Sequence, residues 1–386
     1  QGLLARIERE SPGLLAFTGD STQFPYVKKL LDEIGPEVRK RGIVTLIGGT
    51  HASLYPDCIN ESPYIDVLCR GEGEDTIVEL VQRLAGGRDF SDVRNLWVKR
   101  ADGEIIKNPM RPFIEDLDAL PFSDRDPDFV DYQAIIDSDF DRVMFMLSRG
   151  CPYSCTYCGS PAMGKLQEGK YVRFLSVDRA IAELKDIQAR FKFKTIFFAD
   201  DVFTINRKFV FEFAERYREE IGVPFEVTTR VESSSPDVFQ ALADAGCTRV
   251  AMGIESGDEE FRRAVLNRRM SNDKIVRSFA WAKEAGLSTK SYNIVGFPHE
   301  TPEIHRRTVE LNRRLDVDSN VCYIFQPYPG TALFDVCKDN HLFKEDAPVT
   351  EIVSRTDTVL ELPAFKREDV LKSYRNFAFE VYKGKS

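Results

Sequence analysis

Three cysteines, Cys151, Cys155 and Cys158, stand at C-x3-C-x2-C spacing in a loop that follows the apolar run Val143 to Leu147. Three thiolates on one short loop can hold three irons of a [4Fe–4S] cube, one thiolate to each iron. The fourth iron then lacks a protein ligand and is open to a substrate or cofactor. A structural zinc, on three cysteines and one histidine, is the competing reading. It asks for a distant partner, because the nearest histidines in sequence are His51 and His299. The chain has eight cysteines in 386 residues, so three within eight positions is a strong cluster. The other five, Cys58, Cys69, Cys247, Cys322 and Cys337, are scattered, mostly among apolar neighbours. They form no disulfide framework, which fits a reducing cytoplasm.

The elements that must position this loop recur in order. Apolar runs at Val143 to Leu147, Thr195 to Ala199, Phe225 to Thr229, Arg249 to Met252, Thr289 to Val295 and Asn320 to Phe325 read as strands, with amphipathic helices between them. Six such units imply parallel strands with outer helices, curled into a (β/α)6 partial TIM barrel. A full barrel of this kind carries its chemistry at the carboxyl ends of its strands. Polar groups recur at those ends here: the cysteine loop, Asp200 with Asp201, Arg230 with Glu232, Glu255 with Ser256, and Gly296. Any one carboxylate could simply cap the next helix. The recurrence at five ends points to a site.

The first 90 residues read as a smaller α/β region. Strands at Gly13 to Phe17, Ile43 to Ile47 and Ile65 to Cys69 alternate with helices at Phe24 to Arg41 and Asp75 to Leu84. That alternation implies a Rossmann-like parallel sheet. Gly48 and Gly49, then Gly71, Glu72 and Gly73, fall at its carboxyl edge, where open sheets bind ligands. Tight turns explain such glycines equally well. Residues 91–140 read as a linker: a hairpin around Ala101-Asp102-Gly103, then an extended, proline-punctuated surface segment whose aspartates cap or are solvated. Residues 336–386 read as a tail with one helix, about Lys366 to Lys383, striped by Val370, Tyr374, Phe377 and Val381.

Composition sets the outer limits. A hydrophobic content of 42% supports real cores, and a net charge of −9 argues against a dedicated nucleic-acid binder. No apolar run approaches the ~18–20 residues of a membrane span. No signal peptide is visible. The chain starts at Gln1 rather than Met, and the strand at Gly13 to Phe17 would leave an open edge, so a fragment of a longer protein is expected.

The cysteine loop, with Tyr157 just before the third cysteine, resembles the signature of radical S-adenosylmethionine enzymes. In that family the open iron chelates the amino and carboxylate groups of S-adenosylmethionine, and one electron splits the carbon–sulfur bond to give methionine and a 5′-deoxyadenosyl radical. The resemblance extends over 141–335. It implies that Asp200 and Asp201 stand where the methionine amino group is received. Arg230 and Glu232 match contacts to its carboxylate and the ribose. Glu255 and Ser256 face the cofactor, and Ile294, Val295 and Gly296 support the adenine. Residues 11–85, through the Gly48-Gly49 and Gly71-Glu72-Gly73 turns, resemble part of a cobalamin-binding domain that precedes the radical module in one branch. In such domains a ligand histidine lies in an Asp-x-His-x-x-Gly loop; the chain has none, so His51 is not expected to ligate cobalt.

The resemblance implies an enzyme with a [4Fe–4S] cluster, S-adenosylmethionine and cobalamin. Its activity would be methylation of an unreactive centre, one S-adenosylmethionine methylating cobalt and a second making the radical. The alternative within the branch is an oxidative cyclase or another radical rearrangement. The partners implied are a small-molecule or peptide substrate and an electron donor such as flavodoxin or ferredoxin. A methylthiotransferase would carry three cysteines in its first domain, where this chain has Cys58 and Cys69. A non-catalytic iron–sulfur protein would not need the polar groups at the other strand ends.

Overall fold

The computed structural model describes residues 2–344 and 355–384; parts of the tail, 345–354 and 385–386, lie outside the described residues. The chain forms two compact units. One comprises Gln1–Ile114, Tyr153–Lys170 and Gln326–Glu361, the other Glu115–Pro152, Tyr171–Phe325 and Leu362–Ser386.

In the first unit, five strands form one sheet in sequence order: β1 (Leu14–Thr18), β2 (Val44–Gly48), β3 (Val67–Cys69), β4 (Leu96–Lys99) and β5 (Ile105–Lys107). β1, β2 and β3 are parallel, and β3, β4 and β5 antiparallel. Successive strand residues point to opposite faces. Ile47, Leu68 and Trp97 therefore meet Phe24 and Leu31 of helix Phe24–Lys40 on one face, while Leu46, Val67 and Val98 meet Leu80 of helix Glu74–Ala85 on the other. The hairpin read around Gly103 is present, and it extends this sheet, because Leu96, Trp97 and Val98 are buried on both faces. Helix Gly2–Glu10, helix Thr50–Leu54 and helix Ala332–Asp339 were not anticipated from the pattern. Each is shorter than the window in which a 3.6-residue period becomes legible.

The second unit is built on a six-stranded sheet. Its strands are β6 (Arg142–Phe145), β9 (Thr195–Phe198), β10 (Phe225–Thr229), β11 (Cys247–Glu255), β12 (Ser288–Val295) and β13 (Ser319–Ile324), with the short pair β7 (Ser148–Arg149) and β8 (Arg173–Phe174) between the first two. Every neighbouring pair in the six is parallel, and spatial order follows chain order. This is the singly wound pattern of a barrel slice. One face packs on the helices through Val143, Phe145, Ile196, Phe198, Val227 and Val250. Phe198 sits edge-on to Phe213 at 5.4 Å and to Phe225 at 5.4 Å, so aromatic packing ties β9 to the helix that follows it and to β10. Ser176 caps helix Val177–Arg190 as its position suggests, accepting from the Arg179 N–H.

The proline-rich connector is more than an extended surface segment. It contains helix Tyr132–Ser138, capped by Asp131, and it buries Arg125 against Glu183 at 2.9 Å. Glu183 also meets Arg179 at 2.9 Å. Sequence pattern missed this because an isolated arginine reads as solvated; only a carboxylate on another element makes its burial tolerable. The tail helix spans Arg367–Tyr382, with Val370, Phe377 and Val381 buried as the stripe implies.

Candidate functional site

In the second unit the carboxyl ends of the strands carry the polar groups. After β6 the chain enters β7 and reaches Gly150 at φ +84°, where an added Cβ would lie 2.5 Å from the Tyr171 carbonyl oxygen. Glycine there is required by both conformation and space. The half-buried Cys151 follows.

Asp200, at the end of β9, is 2% exposed. Its carboxylate accepts from the Leu147 N–H at 3.1 Å and from the Ser148 hydroxyl. Burial pushes its pKa up to about 6, against the lowering effect of those hydrogen bonds. The group thus holds the strand end that leads into the cysteine loop. Asp201 beside it is exposed.

Arg230, buried at the end of β10, donates to Glu232 through Nε at 3.3 Å. Burial raises the Glu232 pKa, but the Arg230 hydrogen bond and charge, with the charge of Arg268, outweigh it and hold the carboxyl below its ordinary range. Glu255, the last residue of β11, has φ +66° and is buried. A non-glycine residue in that region carries backbone strain. The ladder to β12 shifts register between Gly253 and Glu255, and the Glu255 carboxylate folds back over Gly253, where a Cβ would collide with Oε1. Arg268 lies 3.5 Å from Glu255 Oε1 and also donates to the Gly253 carbonyl. Ser256 is fully buried and its hydroxyl accepts from the Asp258 N–H at 3.3 Å, so it serves the turn.

After β12, Gly296 has φ +86° and its N–H donates to Glu300 Oε2 at 2.6 Å; the Phe297 N–H donates to the same oxygen at 3.1 Å. Ile294 is half-buried and Val295 buried. Glu300 is wholly buried, its pKa pushed up to about 8 by burial. Sequence reading missed Glu300 and Arg268. The signal for Glu300 was present as a carboxylate four residues beyond a strand-end glycine; Arg268 lies after a helix and carries no such signal.

In the first unit the polar edge is made mainly of backbone. Gly48 closes β2, and Gly49 has φ +92°, where a Cβ would lie 2.7 Å from the Gly19 carbonyl oxygen. His51 is buried, stacked on Phe24 at 4.2 Å, with Nδ1 2.9 Å from the Ser21 hydroxyl. Burial lowers its pKa to about 4, against a raising contribution from Asp20. It is a core imidazole. Gly71 has φ +69°, and its missing Cβ leaves the space taken by the Gln167 side chain. Gln167 Oε1 accepts from the Glu72 N–H at 2.9 Å. The Glu72 carboxylate accepts from the Ile114 N–H at 2.9 Å, so this side chain braces its own chain. Gly73 caps helix Glu74–Ala85.

The stretch that carries Gln167 also carries Cys155 and Cys158. It packs on the first unit's sheet edge: a Cβ on Gly159 would lie 3.0 Å from Leu54, and the Leu333 N–H donates to the Thr156 carbonyl at 2.9 Å. Cys155 is buried; Tyr157 and Cys158 are half-buried. The Ser160 N–H donates to Cys158 Sγ at 3.4 Å. The remaining cysteines are buried, and burial pushes the thiols of Cys58, Cys69, Cys247 and Cys337 up to about 12 and that of Cys322 well above its ordinary value.

The donor set of the loop fits a cube. Its three cysteines form no disulfide, and an N–H already points at one sulfur, the kind of contact that tunes such clusters. Zinc needs its ligands gathered around one ion at about 2.0–2.3 Å. A cube asks only for one thiolate per iron. Gly49 and Gly71 present no side chain of their own at the sheet's carboxyl edge, and the space beside each is filled by protein, the Gly19 backbone and the Gln167 side chain.

Residues 145–311 match the radical SAM superfamily, and residues 1–81 match the B12 binding domain. The chain is 30% identical over 382 residues to an uncharacterized methyltransferase of Pyrococcus horikoshii, covering 97% of this chain and 80% of that protein. It is 26% identical to the anaerobic magnesium-protoporphyrin IX monomethyl ester cyclase of Rubrivivax gelatinosus, covering 81% of this chain and 55% of the cyclase. Among solved structures it is similar to TsrM of Kitasatospora setae, a radical S-adenosylmethionine methyltransferase with cobalamin and a [4Fe–4S] cluster bound. The TM-score is 0.69 and the identity 17%, covering 87% of this chain and 68% of that one.

Proposed function

Since this chain belongs to the radical S-adenosylmethionine superfamily, in the branch that carries a B12 binding domain, we propose that it is a cobalamin-dependent methyltransferase acting on an unreactive centre of a small molecule or peptide. When bound, the cluster and S-adenosylmethionine supply the 5′-deoxyadenosyl radical by one-electron cleavage of a carbon–sulfur bond, and cobalamin supplies the methyl group.

The chain's own residues take the following parts. Cys151, Cys155 and Cys158 hold three irons, and the Ser160 N–H stabilises the thiolate charge on Cys158. Glu255 receives the methionine ammonium, and Arg230 with Glu232 receives the carboxylate and ribose. Gly296, braced by Glu300, gives the adenine a backbone edge. Asp200 positions the strand end before the loop, and Asp201 is the exposed aspartate beside it that receives the methionine ammonium with Glu255. The Gly48-Gly49 and Gly71-Glu72-Gly73 turns let the backbone approach a corrin, with no histidine ligand from this chain. We read the functional divisions as 1–90, 91–140, 141–335 and 336–386. A reduced flavodoxin or ferredoxin would deliver the electron, and the setting would be the cytoplasm; among the described residues no helix is long and apolar enough to cross a membrane.

One observation carries this reading: Glu255, held at φ +66° with its carboxylate at a strand's carboxyl end. Strain of this kind persists where surrounding structure over-determines it, and it concentrates at functional sites. The test is anaerobic reconstitution with iron and sulfide, addition of hydroxocobalamin, reduction, and assay with methyl-labelled S-adenosylmethionine. Formation of 5′-deoxyadenosine together with label on the bound cobalamin supports the reading. Absence of 5′-deoxyadenosine from iron-loaded protein overturns it. The similarity to a cyclase favours a second reading, oxidation without methyl transfer, which predicts 5′-deoxyadenosine and no labelled cobalamin.

A further inference from the structure

The opposite end of the second unit's sheet carries a second polar cluster. Along each strand the residues that pack on the helices alternate with residues on the other face. Val143, Ile196, Val227 and Val250 take the helix side. Glu226, on β10, and Arg249, on β11, are register partners and lie on the free face. Lys290, on β12, is flanked by Thr289 and Ser291, which bond to Asp318 and to Asn312 of helix Pro302–Leu315, so it too faces away from the helices. Ser319, opening β13, is its register partner.

The charges in this cluster are unequal. Glu226 meets Arg249 at 3.1 Å and Arg142 only at 4.0 Å; Arg142 is held instead by Asp139 through two hydrogen bonds of 2.9 Å. Lys290 forms no ion pair among the described residues, and its ammonium lies 5.2 Å from the Tyr292 ring. Arg249 Nε and Ser319 Oγ are buried without a hydrogen-bond partner. Burial lowers the Lys290 pKa, Arg249 and Arg142 lower it further, and Glu226 opposes them. Buried donors left unbonded cost free energy that an acceptor would return. Three donors on adjacent strands with excess positive charge form a receptor for an anion.

We propose that this floor of the barrel binds an anionic group of the substrate, a carboxylate or a phosphate, through Lys290 and Arg249 with Ser319 as a neutral donor. The proposal rests on the radical-enzyme reading and adds the substrate class to it. Ile294 lies four residues beyond Lys290 along the strand, so the charged end would sit about 13 Å from the strand-end site, at ~3.3 Å per residue. The substrate is then an elongated anion whose reacting atom lies at the far end from its charge.

The test is amine labelling of the full-length, cluster-loaded protein with acetic anhydride, the Lys290 peptide being quantified by mass spectrometry. Inorganic phosphate and succinate are the two probes. Protection of Lys290 by about fivefold with phosphate alone, or with succinate alone, supports the site and names the anion. Protection should weaken in Arg249→Gln and strengthen in Glu226→Gln, which removes the competing carboxylate. Labelling unchanged by either probe overturns the proposal, as does protection that is equal in Arg249→Gln and wild type. Failure of the radical-enzyme reading is separately visible, as wild-type protein that holds iron and yields no 5′-deoxyadenosine.

Discussion

The carboxyl edges of the two sheets do different work with different materials. In the first unit the edge is glycine and backbone. Its polar side chains are turned inward: His51 onto Ser21 and Phe24, Glu72 onto the Ile114 N–H. In the second unit the edge carries charged side chains, Arg230 with Glu232 and Glu255 with Arg268, on strained or buried backbone. A flat, largely uncharged macrocycle is held by close backbone approach, whereas a small zwitterion must be met charge for charge. On the proposed function, the two edges would serve two cofactors of opposite character.

The comparison breaks outright if the three cysteines do not hold a cluster. Serine at Cys151, Cys155 or Cys158 should abolish 5′-deoxyadenosine formation and lower bound iron, measured after anaerobic reconstitution. A Cys155→Ser protein with full iron and full product yield would remove the cube from the account.

Acid and base should then act on the two units in opposite senses. His51 has a folded pKa of about 4, below its ordinary 6.5, so the unfolded chain binds more protons between those values. Stability from this group is present above pH 6.5 and is lost as pH falls toward 4, by about 3 kcal/mol over the full window. Asp200 has a folded pKa of about 6, above its ordinary 3.8, so the folded chain binds more protons between those values. Its contribution is full below pH 3.8 and is lost as pH rises toward 6, by about 3 kcal/mol. Urea unfolding against pH, comparing wild type with His51→Phe and with Asp200→Asn, should give difference curves of opposite slope. Parallel slopes would refute the assignment.

Glu255→Ala should weaken S-adenosylmethionine binding by about tenfold or more, as expected for loss of a charged hydrogen-bond partner, while iron content is retained. Calorimetric titration checks it, and unchanged affinity would move the ammonium site elsewhere.

The smallest expected effect sharpens the contrast inside the first unit. Gly71→Ala places a Cβ in the space of the Gln167 side chain at φ +69° and should cost about 1–3 kcal/mol. Hydrogen–deuterium exchange should rise in residues 153–170. Gln167→Ala in the same chain should recover part of the loss, and no recovery would mean that backbone strain alone sets the cost.

Much of this architecture was legible before any coordinates. The 2-residue and 3.6-residue periods located the six parallel strands and the helices between them, because burial on a fixed face imposes those periods on local sequence. Spacing of three cysteines marked the loop, since ligands on one short segment are brought together by local geometry alone. Gly49 and Gly71, read as turns directly after strands, indeed have positive φ. Other features depended on residues far apart in the chain. Whether Asp200 meets a ligand or the Leu147 N–H is decided by the pairing of β6 with β9, some 50 positions away. The same holds for the packing of Gln167 on the Gly71 turn, the burial of Arg125 on Glu183, the approach of Arg268 to Glu255, and the meeting of Lys290 with Ser319. Local sequence selects the element and the face on which a side chain stands; which group it meets there follows from how strands pair and segments pack, and only the tertiary structure holds that information.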